Sequence, residues 1–353
     1  MKKFLMVLFV SLFIAGCASK ELIYFETPAE LKSKEKKQEF INKYSKFIAG
    51  KKFFVDPGHG GKDRFSVGNL NMVTEADVNL AVALHLRNFL EEAGAIVIMS
   101  RTKDTTVDLK ERSFMANRAN VDLFISIHHN APGDSLDAVT NYTSTYYHAK
   151  ETDYEYEPSE RNVAKYIQRD LAYAMRNSGG QGSFDGTYSD YSIYPKAGFS
   201  VLRVTDVPAV LVECGFFTNN FEERRLAVED FNRIQAWGIF RGLCRYYSGG
   251  IPKIEEIPMT EVQSDRFIAD TSFNQKGVTY SFAFLLSDSS GIDSTTIKCY
   301  FDSLTVPFTF NTKTNTLYFN VTDAAPGDHT YRVVAANKNG NYALPFHKKN
   351  IFQ

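Results

Sequence analysis

Two stretches of the chain place imidazoles where an apolar run stops: Val55-Asp56-Pro57-Gly58-His59-Gly60-Gly61 and Ser126-Ile127-His128-His129-Asn130. Two carboxylates stand in comparable places. Glu75 follows Thr74 at the head of a helix-like stretch, and Glu213 closes the apolar run 209–212 just before Cys214-Gly215-Phe216. Each has an ordinary explanation by itself. A histidine in a glycine-rich loop is commonly a surface residue. A glutamate at a helix start is favoured by the helix dipole. A glutamate ending a buried strand calls for a partner such as Arg203, because an unpaired buried carboxylate is costly. Together the four groups describe something narrower. Two histidines and one glutamate fill three positions around Zn2+ and leave the fourth open, the pattern of a catalytic rather than a structural zinc site. A second glutamate nearby would take a proton from the acidified water and return it to a leaving amine. Adjacent strand residues face opposite ways, so His128 and His129 do not share one site unless the strand has ended. His128 is favoured, although alternation alone does not decide between them.

These groups need a scaffold that brings distant stretches to one rim. Short runs rich in β-branched or aromatic residues predict strands at 52–55, 96–100, 123–127 and 209–212. Helices are expected between them. Val78, Val82, Leu86, Phe89, Leu90 and Ala93 recur at three- and four-residue spacing, with Thr74 placed to cap the start and Gly94 to end it. Further helices are expected at 109–119, 159–177 and 230–247. Alternation of this kind predicts an α/β fold with a mostly parallel sheet flanked by helices, in which functional groups collect at the carboxyl ends of strands. The stretch 131–195 reads as an elaborated loop region around its one helix. After Ser248-Gly249-Gly250 the helical period disappears, and strands at 278–284, 296–301, 316–321 and 329–335 predict a separate small all-β sandwich.

With these blocks in view, the sequence resembles the zinc amidases often called the amidase 3 family. The resemblance covers about residues 50–248. It rests on 55–61, Glu75, 97–101 followed by Asp104, Leu109 with Arg112, Ala116-Asn117, 122–131, Val201-Leu202-Arg203 and 208–219, in the family's order and spacing. It implies that His59, Glu75 and His128 are the zinc ligands and Glu213 the catalytic glutamate, with His129 at a variable position. The implied reaction is hydrolysis of the amide between N-acetylmuramic acid and L-alanine in peptidoglycan. Two departures stand out. The family's Asp-Arg-Gly block is replaced by Gly-Thr-Tyr-Ser-Asp-Tyr-Ser-Ile-Tyr-Pro-Lys-Ala-Gly-Phe over 186–199. An acidic, tyrosine-rich insert at 151–160 reads as a cover over the site. The C-terminal text resembles the immunoglobulin-like modules of bacterial exported proteins, and nothing in it reads as catalytic.

The N-terminus carries an address. Lys2 and Lys3 precede an apolar run over 4–15, too short to span a bilayer, which closes on Ile14-Ala15-Gly16-Cys17 and resembles a bacterial lipobox. The expected organisation is a lipoprotein signal peptide at 1–17 with a lipidated Cys17, a polar tether or surface helix over 18–48, the catalytic domain at 49–248 and the sandwich at 249–353. The cell envelope is the expected location, with a membrane held through the lipid on Cys17, peptidoglycan as the partner and room for a protein activator. Cys214, Cys244 and Cys299 lack a paired spacing, so neither a disulfide framework nor a thiolate zinc site is expected. The 40 basic and 41 acidic side chains give a net charge of −1, so nucleic acid is not an expected partner. Two other functions compete. One is a zinc peptidase acting on the stem peptide, and the other a peptidoglycan-binding lipoprotein that keeps the fold without the chemistry.

Overall fold

The computed structural model describes residues 23–134, 136–180, 185–258, 279–322 and 324–352; the signal segment and Cys17 lie outside the described residues. Helix α1 (Lys34–Ile48) leads into β1 (Lys52–Pro57), α2 (Glu75–Glu92), β2 (Ile96–Met99), α3 (Leu109–Ala119) and β3 (Leu123–Asn130). Then come β4 (Ser144–Tyr147), α4 (Pro158–Met175), β5 (Thr187–Ser189), α5 (Ser200–Arg203), β6 (Ala209–Phe216), α6 (Asn220–Leu226) and α7 (Glu229–Ser248). The six strands form one sheet in the order β2-β1-β3-β6-β4-β5. The first four run parallel.

Alternation explains why this sheet is covered on both faces. Phe53, Val55, Ile125 and Val212 turn into the larger core beneath α2, α4 and α7, whereas Phe54, Phe124 and Leu211 pack against α3 and α5. Helix α2 begins where the Thr74 hydroxyl accepts from the Asp77 amide, and it is followed by Gly94 at φ 87°. Of the two alternatives for the polar segment after Cys17, the structure draws a helix from Lys34. Its Ile41 and Ile48 are buried in the main core, and Phe40 lies 5.0 Å from the Trp237 ring of α7. Each buried isoleucine contributes about 2 kcal/mol, enough to dock the segment rather than leave it as a tether.

The stretch 131–195 holds more order than expected, because β4 and β5 complete the sheet. Strand β4 runs antiparallel to β6, with Ser144 opposite Glu213 and Tyr146 opposite Leu211. Its beginning therefore lies at the carboxyl-end rim of the parallel strands and its end at the opposite rim. Residues 151–160 follow that end, so they sit at the far rim and do not cover the histidines. Glu160 marks the place, its carboxylate accepting from the amide of Ala209, the first residue of β6, at 3.0 Å.

Beyond Gly250 come β7 (Lys253–Glu256), β8 (Thr279–Ser287), β9 (Ile292–Phe301), β10 (Leu304–Val306), β11 (Phe308–Asn311), β12 (Thr316–Thr322), β13 (Gly327–Asn337) and β14 (Phe346–Phe352). They form two four-stranded antiparallel sheets, β10-β9-β13-β14 and β11-β12-β8-β7. Phe282, Phe284, Leu317, Phe319 and Tyr331 fill the space between them. The joint to the first domain is well made. Asn341 donates from its side chain to the carbonyls of Tyr246 and Gly250 at 3.1 and 2.9 Å, capping the end of α7, and Asn337 donates to Gly249 O at 3.0 Å. Arg332 donates to Tyr154 O at 2.6 Å and to Tyr156 O, and it pairs with Glu157 at 3.2 Å. The insert is thus a docking surface for the sandwich.

Candidate metal centre

At the carboxyl-end rim the sequence-predicted groups converge. His59 Nε2 lies 3.1 Å from Glu75 Oε2, and His128 Nδ1 lies 3.1 Å from Glu75 Oε1. One donor atom from each of the three residues falls within 4.8 Å of the others. The two imidazoles stand edge to face with centroids 5.0 Å apart.

The loop carrying His59 is held from below. Arg101 donates to Pro57 O at 3.0 Å and to Gly58 O at 2.9 Å, and Arg112 donates to Pro57 O at 2.8 Å and to His59 O at 2.9 Å. Buried Asp56 takes a further bond from Arg112 at 2.6 Å and bonds from Ser100 and Ser126. Asp104 accepts from the Gly61 amide at 2.7 Å. Several separated sequence blocks therefore have one physical task, which is to fix a turn in which His59 adopts φ 58°. Gly58 has a different role. A Cβ there would stand 2.2 Å from His128 Cε1, so only glycine lets the second imidazole into place.

Electrostatics follow from this packing. Burial pushes the Glu75 carboxyl up, but the facing imidazoles outweigh it and hold it well below the usual carboxylate range. His59 is correspondingly raised to about 9, chiefly by its hydrogen bond to Glu75 and with help from Asp63, whose Oδ2 is 2.8 Å from Nδ1. Glu213 sits on β6 in register with His128. Its Oε2 is buried with no hydrogen-bond partner among the described residues. Burial, reinforced by the Glu75 charge and opposed by His59, holds the Glu213 carboxyl well above its ordinary value. Arg203, the alternative partner, donates instead to Ala197 O.

His129 is turned away from this point and is buried between α2 and α7, where burial brings its imidazole down to about 4. Its Nδ1 lies 2.7 Å from Asn79 Oδ1 and its Nε2 2.7 Å from Gln235 Oε1, so the ring's one N–H is donated to a side-chain carbonyl oxygen on either side. Neither Asn79 nor Gln235 stood out in the sequence. The available signal was a polar residue at Asn79, four after Glu75 on the apolar face of α2. In the stretch 186–199, Asp190 is buried and accepts from His148 Nδ1 at 2.9 Å and from the amides of Ala149 and Phe199 at 3.1 and 2.8 Å.

The donor set fits zinc: two imidazoles and one carboxylate, facing one another, with a Glu213 carboxylate oxygen beside them that has no partner among the described residues. Residues 53–245 match the family described as N-acetylmuramoyl-L-alanine amidase. The chain is 34% identical over 200 residues to the uncharacterized protein YqiI of Bacillus subtilis, covering 57% of this chain and 86% of that one. It is 32% identical over 216 residues to the germination-specific N-acetylmuramoyl-L-alanine amidase of the same organism, covering 57% and 81%. The crystal structure of an N-acetylmuramoyl-L-alanine amidase from Clostridium difficile 630 aligns with TM-score 0.49 at 31% identity, covering 56% of this chain and 97% of that one. The family match spans more than half of the chain and includes His59, Glu75, His128 and Glu213; the chain belongs to the N-acetylmuramoyl-L-alanine amidase family.

Proposed function

We propose that the chain hydrolyses the amide between N-acetylmuramic acid and L-alanine in peptidoglycan, with zinc held by His59, Glu75 and His128 and with Glu213 as general base and then acid. The observation that carries this reading is the convergence of three donor atoms within 4.8 Å of one another beside a buried carboxylate oxygen that no protein group satisfies among the described residues. Zinc bound there would supply Lewis acidity to a carbonyl and to water. Glu75 and the two imidazoles fix the geometry. Glu213 accepts a proton from the attacking water and delivers it to the alanine amine as the carbon–nitrogen bond breaks.

The same observation favours an enzyme over a binding protein, since an unsatisfied carboxylate oxygen beside three converging donor atoms costs stability that acid and base chemistry would explain. Product analysis separates the remaining rival. Digestion of peptidoglycan should yield new alanine amino termini and free lactyl carboxylates, together with about one zinc per chain that is lost in His128→Ala. A new amino terminus within the stem peptide would mean a peptidase instead.

We further infer that Cys17 carries lipid and anchors the chain in the cell envelope, and that the two antiparallel sheets after Gly250 are an immunoglobulin-like module. The basic and apolar text of 1–17 supports the first reading, and the sheet pattern supports the second. Incorporation of labelled fatty acid that Cys17→Ser abolishes tests the anchor. Unchanged labelling in that variant would remove it.

A further inference from the structure

One buried polar group of the sheet has no part in the chemistry described so far. His129 faces away from the metal centre into a core of aliphatic and aromatic side chains, yet both ring nitrogens are engaged. The bonds form a continuous line. Asn79 Nδ2 donates to Glu75 Oε1 at 3.4 Å and to Gly58 O at 3.3 Å, and its Oδ1 lies 2.7 Å from His129 Nδ1. The His129 amide reaches the same Glu75 oxygen at 3.3 Å. Beyond the ring, Gln235 Oε1 lies 2.7 Å from Nε2, and Gln235 Nε2 donates to Asn232 Oδ1 at 3.0 Å; Asn232 donates to Leu226 O at 3.1 Å. Glu75, Asn79, His129, Asn232 and Gln235 are all buried.

A line of amides and one imidazole through an apolar core costs desolvation at every member and contributes little net stability even when satisfied. Its two ends show what it does. One end is a backbone carbonyl at the close of α6. The other is the carboxylate that faces both metal-site imidazoles. Outer-shell hydrogen bonds of this kind hold a ligand carboxylate at one angle and keep its second oxygen from rotating away.

We propose that His129 is a positioning residue for the metal centre, locking the Glu75 carboxylate through Asn79 and being itself locked by Gln235 on α7. This rests on the reading that His59, Glu75 and His128 hold zinc. Among the described residues, helix α7 reaches the three metal-site side chains by hydrogen bonds only along this line.

The test uses the full chain as wild type, His129→Phe, which keeps a flat ring and removes both polar contacts, and Gln235→Met, which removes only the far contact. Zinc affinity is measured by competition with a chromophoric chelator, ligand geometry by the visible absorption of the cobalt-substituted protein, and stability by the thermal midpoint of the metal-free protein. His129→Phe should bind zinc about 10- to 100-fold more weakly and Gln235→Met about 10-fold more weakly, each with an altered cobalt spectrum. If both variants bind zinc as the wild type does, with an unchanged spectrum, the line is only structural and the proposal is overturned, whatever happens to the midpoint. Should His129→Phe fail to fold, Gln235→Met decides alone. A wild type that holds no zinc, or whose zinc survives His128→Ala, overturns the underlying reading and takes this inference with it.

Discussion

The two rims of the central sheet are made from the same strands and solve opposite problems. At the far rim each buried carboxylate is answered: Asp190 by an imidazole and two amides, and Glu160 by the amides of Ala209 and His148. Glu157 there pairs with Arg332 and His347. At the near rim Glu75 is shared between two imidazoles, and one oxygen of Glu213 is left with nothing among the described residues. The difference teaches where the fold invests in stability and where it withholds it. A rim whose buried carboxylates are answered can join two domains, whereas a rim with one carboxylate oxygen left open among the described residues is suited to acid and base chemistry.

The sharpest way to break this contrast is to neutralise the unspent group. Glu213→Gln should lower kcat by about two to four decades while zinc content stays unchanged, as shown by turnover and metal analysis of the same preparation. Activity near that of the wild type would mean the open oxygen has no role. Next comes Gly58→Ala, whose new methyl must push on the His128 ring. Zinc affinity should fall by about 10- to 100-fold, and turnover at limiting zinc should fall with it.

Crossing to the far rim, Arg332→Ala should destabilise the protein to denaturant by about 1–3 kcal/mol, because two half-buried carbonyls and Glu157 lose their donor, with kcat unchanged. The smallest effect belongs to Tyr154→Ala. It removes a ring 5.7 Å beneath the Arg332 guanidinium and should cost about 0.5–1 kcal/mol, again without a change in kcat. A rise in activity in either far-rim variant would return the insert to the role of a cover over the site.

The near rim was far more legible in the sequence than the far one, and the reason is physical. Strands β1, β2, β3 and β6 start where the apolar runs start, at 52, 96, 123 and 209. Each of β3 and β6 then runs past its last aliphatic residue, because the ladder continues through His128 and Glu213, which pair with each other. A pattern built on hydrophobicity stops strands at the polar residues that matter most. Strand β4 was missed for a related reason. Its Ser-Thr-Tyr-Tyr text is buried along its whole length and shows no alternation. The insert was misread because its partner is remote. Arg332 lies 178 residues from Tyr154, and nothing local in a run of acids and tyrosines reveals a guanidinium that arrives from another domain. Asn79 and Gln235 were silent for the same reason, since an amide in a helix acquires meaning only from what faces it.

The Arg332 clamp has a consequence for how this joint tolerates change. What Arg332 grips at Tyr154 and Tyr156 are main-chain carbonyls, and Asn341 does the same at Tyr246 and Gly250. Every residue type carries that acceptor. The gripped segment can therefore drift in side-chain identity with only modest loss, while the gripping residues cannot. Mutational tolerance across the domain junction is thus expected to be lopsided, lenient on the insert and strict at Arg332 and Asn341, although the two sides touch the same hydrogen bonds.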